Sequence, residues 1–108
     1  MLVAEIDRRI VGYTSIIGGY NTDIAAPEVW MLDLFVLPRW RSQGIGRALV
    51  TAVAQETRRR GRTCLGWGVR GSNSRAKRFY RRLGATIGNA RVASLTGHAL
   101  TALARARR

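Results

Sequence analysis

A short glycine-containing run, RSQGIG at residues 41–46, has the composition of a loop that binds an anion. The first N–H groups of a helix lack partners inside the helix, and the helix dipole favours negative charge there. Gly44 and Gly46 have no Cβ, so phosphate oxygens can approach the backbone, while Arg41 and Arg47 add cations. The run therefore indicates a phosphate-binding site or, as the alternative, a glycine-rich turn from a strand into a helix with no ligand.

Two better-known phosphate motifs do not fit this run. A P-loop requires Gly-x-x-x-x-Gly-Lys-Ser/Thr, which the sequence does not contain. The dinucleotide fingerprint requires a third glycine or alanine at position 49, which is Leu49. Glycine spacing alone does not choose between the two alternatives.

The elements around the run form a strand–helix–strand–helix series. Residues 29–37 are strongly apolar and end at Pro38, which predicts a buried strand. Apolar residues then recur at helical spacing from Ile45 to Val53, with Gly61 as the predicted stop. Residues 63–69 predict another strand, and a second helix follows, capped by Ser72 or Asn73 and stopped by Gly84.

The two ends of the chain complete one domain of residues 1–108. Residues 1–6 and 10–17 predict a hairpin with its turn near residues 7–9, and residues 18–19 and 21–27 a loop. Residues 85–87 and 91–94 predict short strands, and residues 97–104 a terminal helix. The order β-β-β-α-β-α-β-β predicts an α/β (α+β) fold: a mainly antiparallel sheet with one parallel, right-handed β-α-β crossover.

The charge is concentrated in the second part of the chain. Residues 1–38 hold two arginines and five acids, a net charge of −3, whereas residues 39–108 hold 17 basic residues and only Glu56, a net charge of +16. Such a field attracts nucleic acid, an anionic membrane or a phosphorylated cofactor, although a solvated face explains it equally well. No apolar run reaches the roughly 20 residues of a membrane span, and a lone Cys64 supplies neither an internal disulfide nor a multi-cysteine zinc site. We therefore expect a cytoplasmic protein without a metal.

The segment LDLFVLPRWRSQGIGRALV resembles the acetyl-CoA motif of the GNAT acetyltransferases, whose core is Arg/Gln-x-x-Gly-x-Gly/Ala. Arg41, Gly44 and Gly46 stand at the three defined positions. Asn73 and Tyr80, in NSRAKRFYRRLGA, match the family's second element in order and spacing. Residues 30–85 are similar to diamine (spermidine/spermine-type) N-acetyltransferases.

The resemblance implies two parallel strands that splay apart and hold the pantetheine arm of acetyl-CoA between them. It also implies an acetyl-CoA-dependent enzyme in which a primary amine attacks the thioester directly in a ternary complex. The implied cofactor-binding residues are the strand residues Leu34, Phe35 and Val36, the loop residues Arg41, Ser42, Gln43, Gly44, Ile45, Gly46 and Arg47, and the helix residues Asn73, Ala76 and Tyr80.

The resemblance assigns Tyr80 the role of general acid towards the departing thiolate, with core packing as the alternative role. The general base is open: Asp33 is the first candidate, as base or amine anchor, Glu28 lies near it, and a structural carboxylate is the alternative. Leu32 stands where the diamine pattern has a second acid, a departure that concerns polyamine specificity.

Six other residues have both a structural and a functional interpretation. Gly66 and Gly68 share one strand face, which indicates close approach of a ligand or of a packed helix. Cys64 is expected to be a small buried residue and His98 a surface or helix-start residue. Trp67 and Phe35 are expected in the core rather than in an acceptor site.

Family members usually begin with a strand and one or two helices that have no counterpart before residue 1. A late gene start, a minimal cofactor-binding domain and a homodimer whose partner supplies the missing wall are the three explanations, and we expect the homodimer. Two other functions stay open beside the acetyltransferase: a nucleic-acid-associated module, and a catalytically silent domain that binds coenzyme A.

Overall fold

The computed structural model describes residues 1–106, which form one mixed four-stranded sheet with helices. The strands are β1 (Leu2–Ile6), β2 (Arg9–Asn21), β3 (Ala26–Val36) and β4 (Leu65–Trp67), in the spatial order β1-β2-β3-β4. The helices are α1 (Ile45–Arg59), α2 (Ser74–Arg82) and α3 (Gly97–Arg105), and a single 3₁₀ turn spans Pro38–Trp40. The predicted mixed α/β (α+β) class is confirmed.

The N-terminal hairpin forms where the sequence predicts it. Ile6 pairs with Arg9, so the turn is the two residues Asp7 and Arg8. Both residues have positive φ angles, 49° and 65°. Two successive positive φ angles match the right-handed twist of the strands that such a tight turn joins.

The predicted loop over residues 18–27 is wrong for most of its length. Gly18 lies opposite Val29 and Gly19 opposite Glu28, so both strands continue through this region and only residues 22–25 connect them. A Cβ at Gly18 would lie 2.7 Å from Nη1 of Arg62. Arg62 passes over this glycine and donates to the Glu28 carbonyl oxygen at 2.7 Å, so the glycine makes room for a side chain rather than breaking the strand.

The predicted parallel crossover from β3 through α1 to β4 is confirmed. Val29, Trp30 and Met31 pair in parallel with residues 65–67, a shorter strand than the predicted 63–69. Val29 and Met31 pack against Val50 and Val53 of α1, and all four are buried. These contacts fix the position of α1 on one face of the sheet.

A β-bulge at Leu32 changes the course of β3. Ser15 lies opposite Asp33 and Ile16 opposite Met31, so Leu32 has no direct partner on β2. Bulges bend a strand and exchange the faces of the residues that follow. β3 continues to Val36, beyond Met31, its last residue paired with β4.

The face of the sheet opposite α1 is largely uncovered. Trp30, Phe35 and Ile17 are 36%, 39% and 49% exposed, and Tyr13 lies beside Phe35 with ring centroids 5.9 Å apart. The prediction of a fully buried strand at residues 29–37 is therefore wrong for this face, as is the expectation that Phe35 is a core residue. The apolar run encodes one core face and one exposed apolar face.

The tail between α2 and α3 is irregular. The strands predicted at 85–87 and 91–94 do not form, whereas the terminal helix does, at Gly97–Arg105. β4 has only three residues to offer a partner strand, and Val92 is 96% exposed, so a strand here gains neither a complete ladder nor a buried face. Within residues 1–106, no helix is long and apolar enough to cross a lipid bilayer.

Candidate active site

The N-terminus of α1 presents a group of backbone N–H donors. Gly44 is the N-cap, with φ +85°, and no side chain caps the helix. Ala48 is the first residue whose N–H donates within the helix, to the Gly44 carbonyl oxygen at 3.0 Å. The N–H groups of residues 45–47 thus have no helical acceptor, and the first turn contains no acidic residue. This end of α1 therefore favours an anion.

Side chains of the loop hold it against the end of β3. Arg41 donates from Nε to the Val36 carbonyl oxygen at 2.9 Å, and its guanidinium carbon lies 5.6 Å from the centre of the Phe35 ring. Gln43 donates from Nε2 to the Arg39 carbonyl oxygen at 3.2 Å. Arg41 and Gln43 are therefore positioned by the loop itself, and Ser42 has the left-handed φ of 63° that this path requires.

A cleft of about 380 Å³, the α1–α2 cleft, lies between the end of β3 and the N-termini of α1 and α2. Ten of the residues predicted to bind a cofactor line this cleft. They are Leu34, Phe35, Val36, Arg41, Ser42, Gly44, Gly46, Arg47, Asn73 and Ala76. Gln43, Ile45 and Tyr80, predicted for the same site, are not among its lining residues.

The remaining lining residues are Arg75, Phe79 and Arg82, which the sequence reasoning missed. The signal was present, because helical spacing places residues 75, 79 and 82 on the same face of α2. With them the cleft has four arginines and no acidic residue along its walls. Arg75 also contacts the loop directly, with Nη2 at 3.4 Å from Ser42 Oγ. The cleft is therefore strongly electropositive.

Asn73 sets the start of α2. Its side-chain oxygen accepts a hydrogen bond from the N–H of Ala76 at 3.0 Å, the geometry of an N-cap. The predicted cap is confirmed for Asn73 rather than Ser72. Asn73 thereby fixes the direction of α2 and the side on which each of its residues lies.

Tyr80 lies in a second cleft on the other side of α2. This β4–tail cleft, of about 530 Å³, is bounded by β4 and the segment that follows α2, and Trp30, Cys64, Gly66 and Tyr80 line it. The Tyr80 ring contacts Trp67 edge-on, with centroids 5.1 Å apart. Burial raises the pKa of the Tyr80 phenol, so it is protonated at neutral pH. Phe79 lines one cleft and Tyr80 the other, so two adjacent residues of α2 border different clefts.

Neither candidate carboxylate lines either of these clefts. Asp33 is exposed on β3 opposite Ser15. Glu28 is closer to the β4–tail cleft: its Oε2 accepts from Asn21 Nδ2 at 3.0 Å and would lie 3.6 Å from a Cβ at Gly66. Glu28 therefore borders the Tyr80 side of the molecule, whereas Asp33 faces solvent.

The close neighbour of Gly66 is an aromatic ring on the next strand. A Cβ at Gly66 would lie 2.7 Å from Cζ3 of Trp30, its direct partner across the parallel pair. Gly68 lies beyond the end of β4 and has no heavy atom within 4 Å of a Cβ position. The tight neighbour at Gly66 is therefore the Trp30 ring rather than a packed helix, and the approach of a ligand to this face stays a prediction.

Cys64 and His98 have structural positions. The Cys64 thiol donates to Glu28 Oε2 at 3.4 Å, and burial, reinforced by this carboxylate, raises its pKa. A neutral thiol is a poor nucleophile, so Cys64 is unsuited to a covalent acetyl intermediate. His98 is an exposed residue in the first turn of α3, as expected.

The sequence profile of the acetyltransferase (GNAT) family matches residues 1–85. This match covers most of the chain. It includes all residues of the α1–α2 cleft and the part of the β4–tail cleft that precedes residue 86. The chain belongs to the GNAT acetyltransferase family, and the resemblance in its loop motif is thereby confirmed at the level of the family.

Comparisons with individual proteins agree with this membership. An uncharacterized N-acetyltransferase of Mycobacterium tuberculosis is 33% identical over 98 residues, which are 91% of this chain and 60% of that protein. The L-ornithine N5-acetyltransferase of Arabidopsis thaliana is 30% identical over 95 residues, 87% of this chain and 42% of that enzyme. The structure of an integron cassette protein from the mobile metagenome of Vibrio cholerae superposes with a TM-score of 0.87 at 24% identity, covering 96% of this chain and 65% of that one. The chain thus spans about three fifths or less of these curated relatives.

Proposed function

We propose that this chain binds acetyl-CoA in the α1–α2 cleft and transfers the acetyl group to a primary amine in the adjoining β4–tail cleft. The observation that carries the proposal is that Phe79 and Tyr80, adjacent on α2, line two different clefts. One has open helix N–H groups and four arginines, and the other contains a protonated tyrosine. An electropositive cleft and a nearby proton donor are the two parts that a thioester transfer to an amine requires.

The proposed phosphate contacts come from the N-terminus of α1 and the arginines around it. The N–H groups of residues 45–47 would donate to the diphosphate, and Arg47 and Arg75 would neutralise its charge. Arg41 is held by the Val36 carbonyl oxygen and would contribute mainly by shaping the loop. Ile45 would contribute only its backbone N–H to the diphosphate.

The pantetheine arm would run along the free edge of β3. The backbone of Leu34, Phe35 and Val36 borders the α1–α2 cleft, and β4 no longer pairs with β3 there. An extended arm can then bond to this backbone as an added strand does. The same backbone N–H groups are candidates to stabilise the oxyanion that forms when the amine attacks the carbonyl.

The reaction needs two proton movements. The amine nitrogen forms a bond to the thioester carbonyl carbon after losing a proton to a base, and the carbon–sulfur bond then breaks. In the proposal the Tyr80 phenol protonates the departing thiolate of coenzyme A. Its raised pKa keeps the proton on the phenol until that step.

The resemblance favours Asp33 as the base, but the proposed base is Glu28, the second candidate from the sequence. The position of Glu28 beside Gly66, a wall residue of the β4–tail cleft, supports this choice. A base must reach the amine directly or through one water molecule, which favours the carboxylate closer to Tyr80. Asp33 would then serve as a structural or solvent-facing carboxylate.

The proposed acceptor is a primary amine; Leu32, in place of the second acid of the diamine pattern, argues against specificity for polyamines. The relative from Arabidopsis thaliana is by name an L-ornithine acetyltransferase, which acts on a diamine that also carries a carboxylate. An ornithine-like acceptor is the nearer analogy for this chain, because its side-chain amine resembles that of a diamine.

A homodimer is the proposed assembly. The uncovered sheet face supports it, since Trp30, Phe35 and Ile17 expose apolar surface together, and such patches mark contact sites. We expect static light scattering at micromolar concentration to give twice the mass of the chain. The mass of one chain under those conditions would contradict the homodimer.

A second candidate function is a nucleic-acid-associated module, favoured by the composition of α2. Five of its nine residues are basic and none is acidic. Nucleic-acid binding by such a surface weakens steeply as salt is added. A third alternative is a domain that binds coenzyme A without transferring the acetyl group. The cytoplasmic location predicted from the sequence stays a prediction.

Calorimetric titration with acetyl-CoA tests the cofactor site. Arg47→Gln should weaken binding roughly 10-fold, the effect of losing one charge-assisted hydrogen bond. Arg58→Gln, on the last turn of α1 and away from the cleft, is the matched control and should bind like the wild type. Equal affinity in both variants would contradict the cleft assignment, and saturable binding with no thiol release from any amine would favour the silent domain.

A further inference from the structure

The β4–tail cleft borders a third cavity, which we call the distal cavity. The distal cavity has a volume of about 660 Å³. It shares Val69, Ile87 and Arg91, among others, with the β4–tail cleft, so the two cavities are neighbours, and we call them together the channel. One end of this channel contains Tyr80, and the other opens beyond the end of β4.

The distal cavity is lined by positive charge. Arg70, Lys77 and Arg91 border it, and no acidic residue is among the lining residues of either part of the channel. Lys77 donates from Nζ to the Gly71 carbonyl oxygen at 2.6 Å, which holds its ammonium group at the wall. Within residues 1–106 only Arg59 and Arg60 form ion pairs, both with Glu56, so protein carboxylates do not neutralise the three cations of the cavity.

The cations share a defined relation to Tyr80. Lys77 precedes Tyr80 by three residues on α2, and residues three apart lie on the same side of a helix. Arg91 lines both parts of the channel and therefore stands between the tyrosine and the far end. A molecule whose amine lies at Tyr80 thus extends towards positive charge.

We infer that the acceptor amine carries an anionic group, a phosphate or a carboxylate, which binds in the distal cavity between Arg70, Lys77 and Arg91. The inference rests on the proposed function, since it assigns a substrate class to the same site. Arginine and lysine bind both kinds of anion through charge-assisted hydrogen bonds. A polyamine would instead bring positive charge against the three cations, so this wall disfavours a polyamine acceptor.

Matched pairs of amines that differ only in the anionic group test the inference. Ornithine and putrescine differ by a carboxylate, and glucosamine 6-phosphate and glucosamine differ by a phosphate. We expect the kcat/KM for acetylation to be about 10-fold or more higher for the anionic member of at least one pair. The pair that responds distinguishes a carboxylate acceptor from a phosphate acceptor.

Variants of the cavity locate the effect. Lys77→Gln and Arg91→Gln should raise the KM for the preferred anionic amine about 10-fold and should not raise the KM for the matched amine that lacks the anionic group. Arg58→Gln on α1 is the charge-matched control. The same comparison by calorimetry, with coenzyme A present, gives a readout that does not depend on turnover.

The outcomes separate the inference from the proposed function. Acetylation with equal kcat/KM for both members of each pair would overturn the inference and leave the acetyltransferase proposal intact. Binding of the anionic amine, weakened by Lys77→Gln, in a protein that releases no thiol would support the inference and overturn catalysis. Equal binding of both members of each pair would overturn the inference in either case, and binding of only long RNA or DNA would assign the cations to the nucleic-acid alternative.

Discussion

Replacing each loop glycine by alanine should change stability in opposite directions. Gly44 has φ +85°, a left-handed conformation that costs an L residue about 1–2 kcal/mol, although no heavy atom lies within 4 Å of a Cβ there. Gly46 is an ordinary residue in the first turn of α1, and its Cβ would meet Phe79 Cζ at 3.5 Å, a normal contact. Gly44→Ala should therefore destabilise the domain, and Gly46→Ala should stabilise it.

The two variants share the same change in the unfolded chain, because each replaces one glycine by alanine. That shared term is a gain of about 0.4–1 kcal/mol, so Gly46→Ala should gain up to about 1 kcal/mol. The difference between the variants isolates the backbone cost at residue 44, about 1–2 kcal/mol. It corresponds to a difference in Tm of about 4 °C or more for a domain of this size.

Thermal unfolding followed by circular dichroism, with urea unfolding as a second measure, provides the assay. Equal Tm values for the two variants, or a lower Tm for Gly46→Ala than for Gly44→Ala, would refute the assigned backbone at the entrance to α1. The family motif allows alanine at the position of Gly46 but requires glycine at the position of Gly44, which agrees with the expected order of stability.

Four further predictions concern Tyr80, the two candidate bases and Cys64. Tyr80→Phe should lower kcat about 10–1000-fold with acetyl-CoA affinity unchanged, and unchanged turnover would exclude Tyr80 from the proton transfer. The folded-state pKa of Tyr80 is raised above its ordinary value of 10.0, so the phenol loses its proton more readily in the unfolded chain. The free energy of unfolding should therefore fall as the pH rises from about 10 through the folded pKa, and it should fall less in Tyr80→Phe. Glu28→Gln should lower kcat more than Asp33→Asn in a thiol-release assay, and the reverse order would identify Asp33 as the base. Cys64 should react slowly with iodoacetamide in the native protein and rapidly in urea, whereas fast native labelling would contradict its neutral, hydrogen-bonded thiol.

The sequence predicts the centre of this fold better than its ends. The crossover and the start of α1 follow from local signals, namely a long apolar run, Pro38, and helical spacing after Gly44. The path of β2 through Gly18 and Gly19 depends instead on Arg62, more than forty residues away. Local glycine signals therefore predicted a loop where a tertiary contact stabilises a strand.

Some residues of the candidate site could likewise be predicted from the sequence, and others could not. Residues of β3, the loop and the start of α2 were predicted from the motif, and ten of them line one cleft. Arg75 and Arg82 were missed because the motif names only Asn73 and Ala76 on that face of α2. Tyr80 lies in a second cleft because it follows Phe79 on α2 and therefore points to a different side of the helix, where its ring contacts Trp67.

The central claim is that the N–H groups at the start of α1 bind the diphosphate of acetyl-CoA. A titration of the protein with coenzyme A, followed by two-dimensional N–H NMR, tests it directly. We predict saturable shifts centred on the amides of Ile45, Gly46 and Arg47, together with the side chains of the α1–α2 cleft. Amides of these three residues that stay unchanged at saturating coenzyme A would contradict the account.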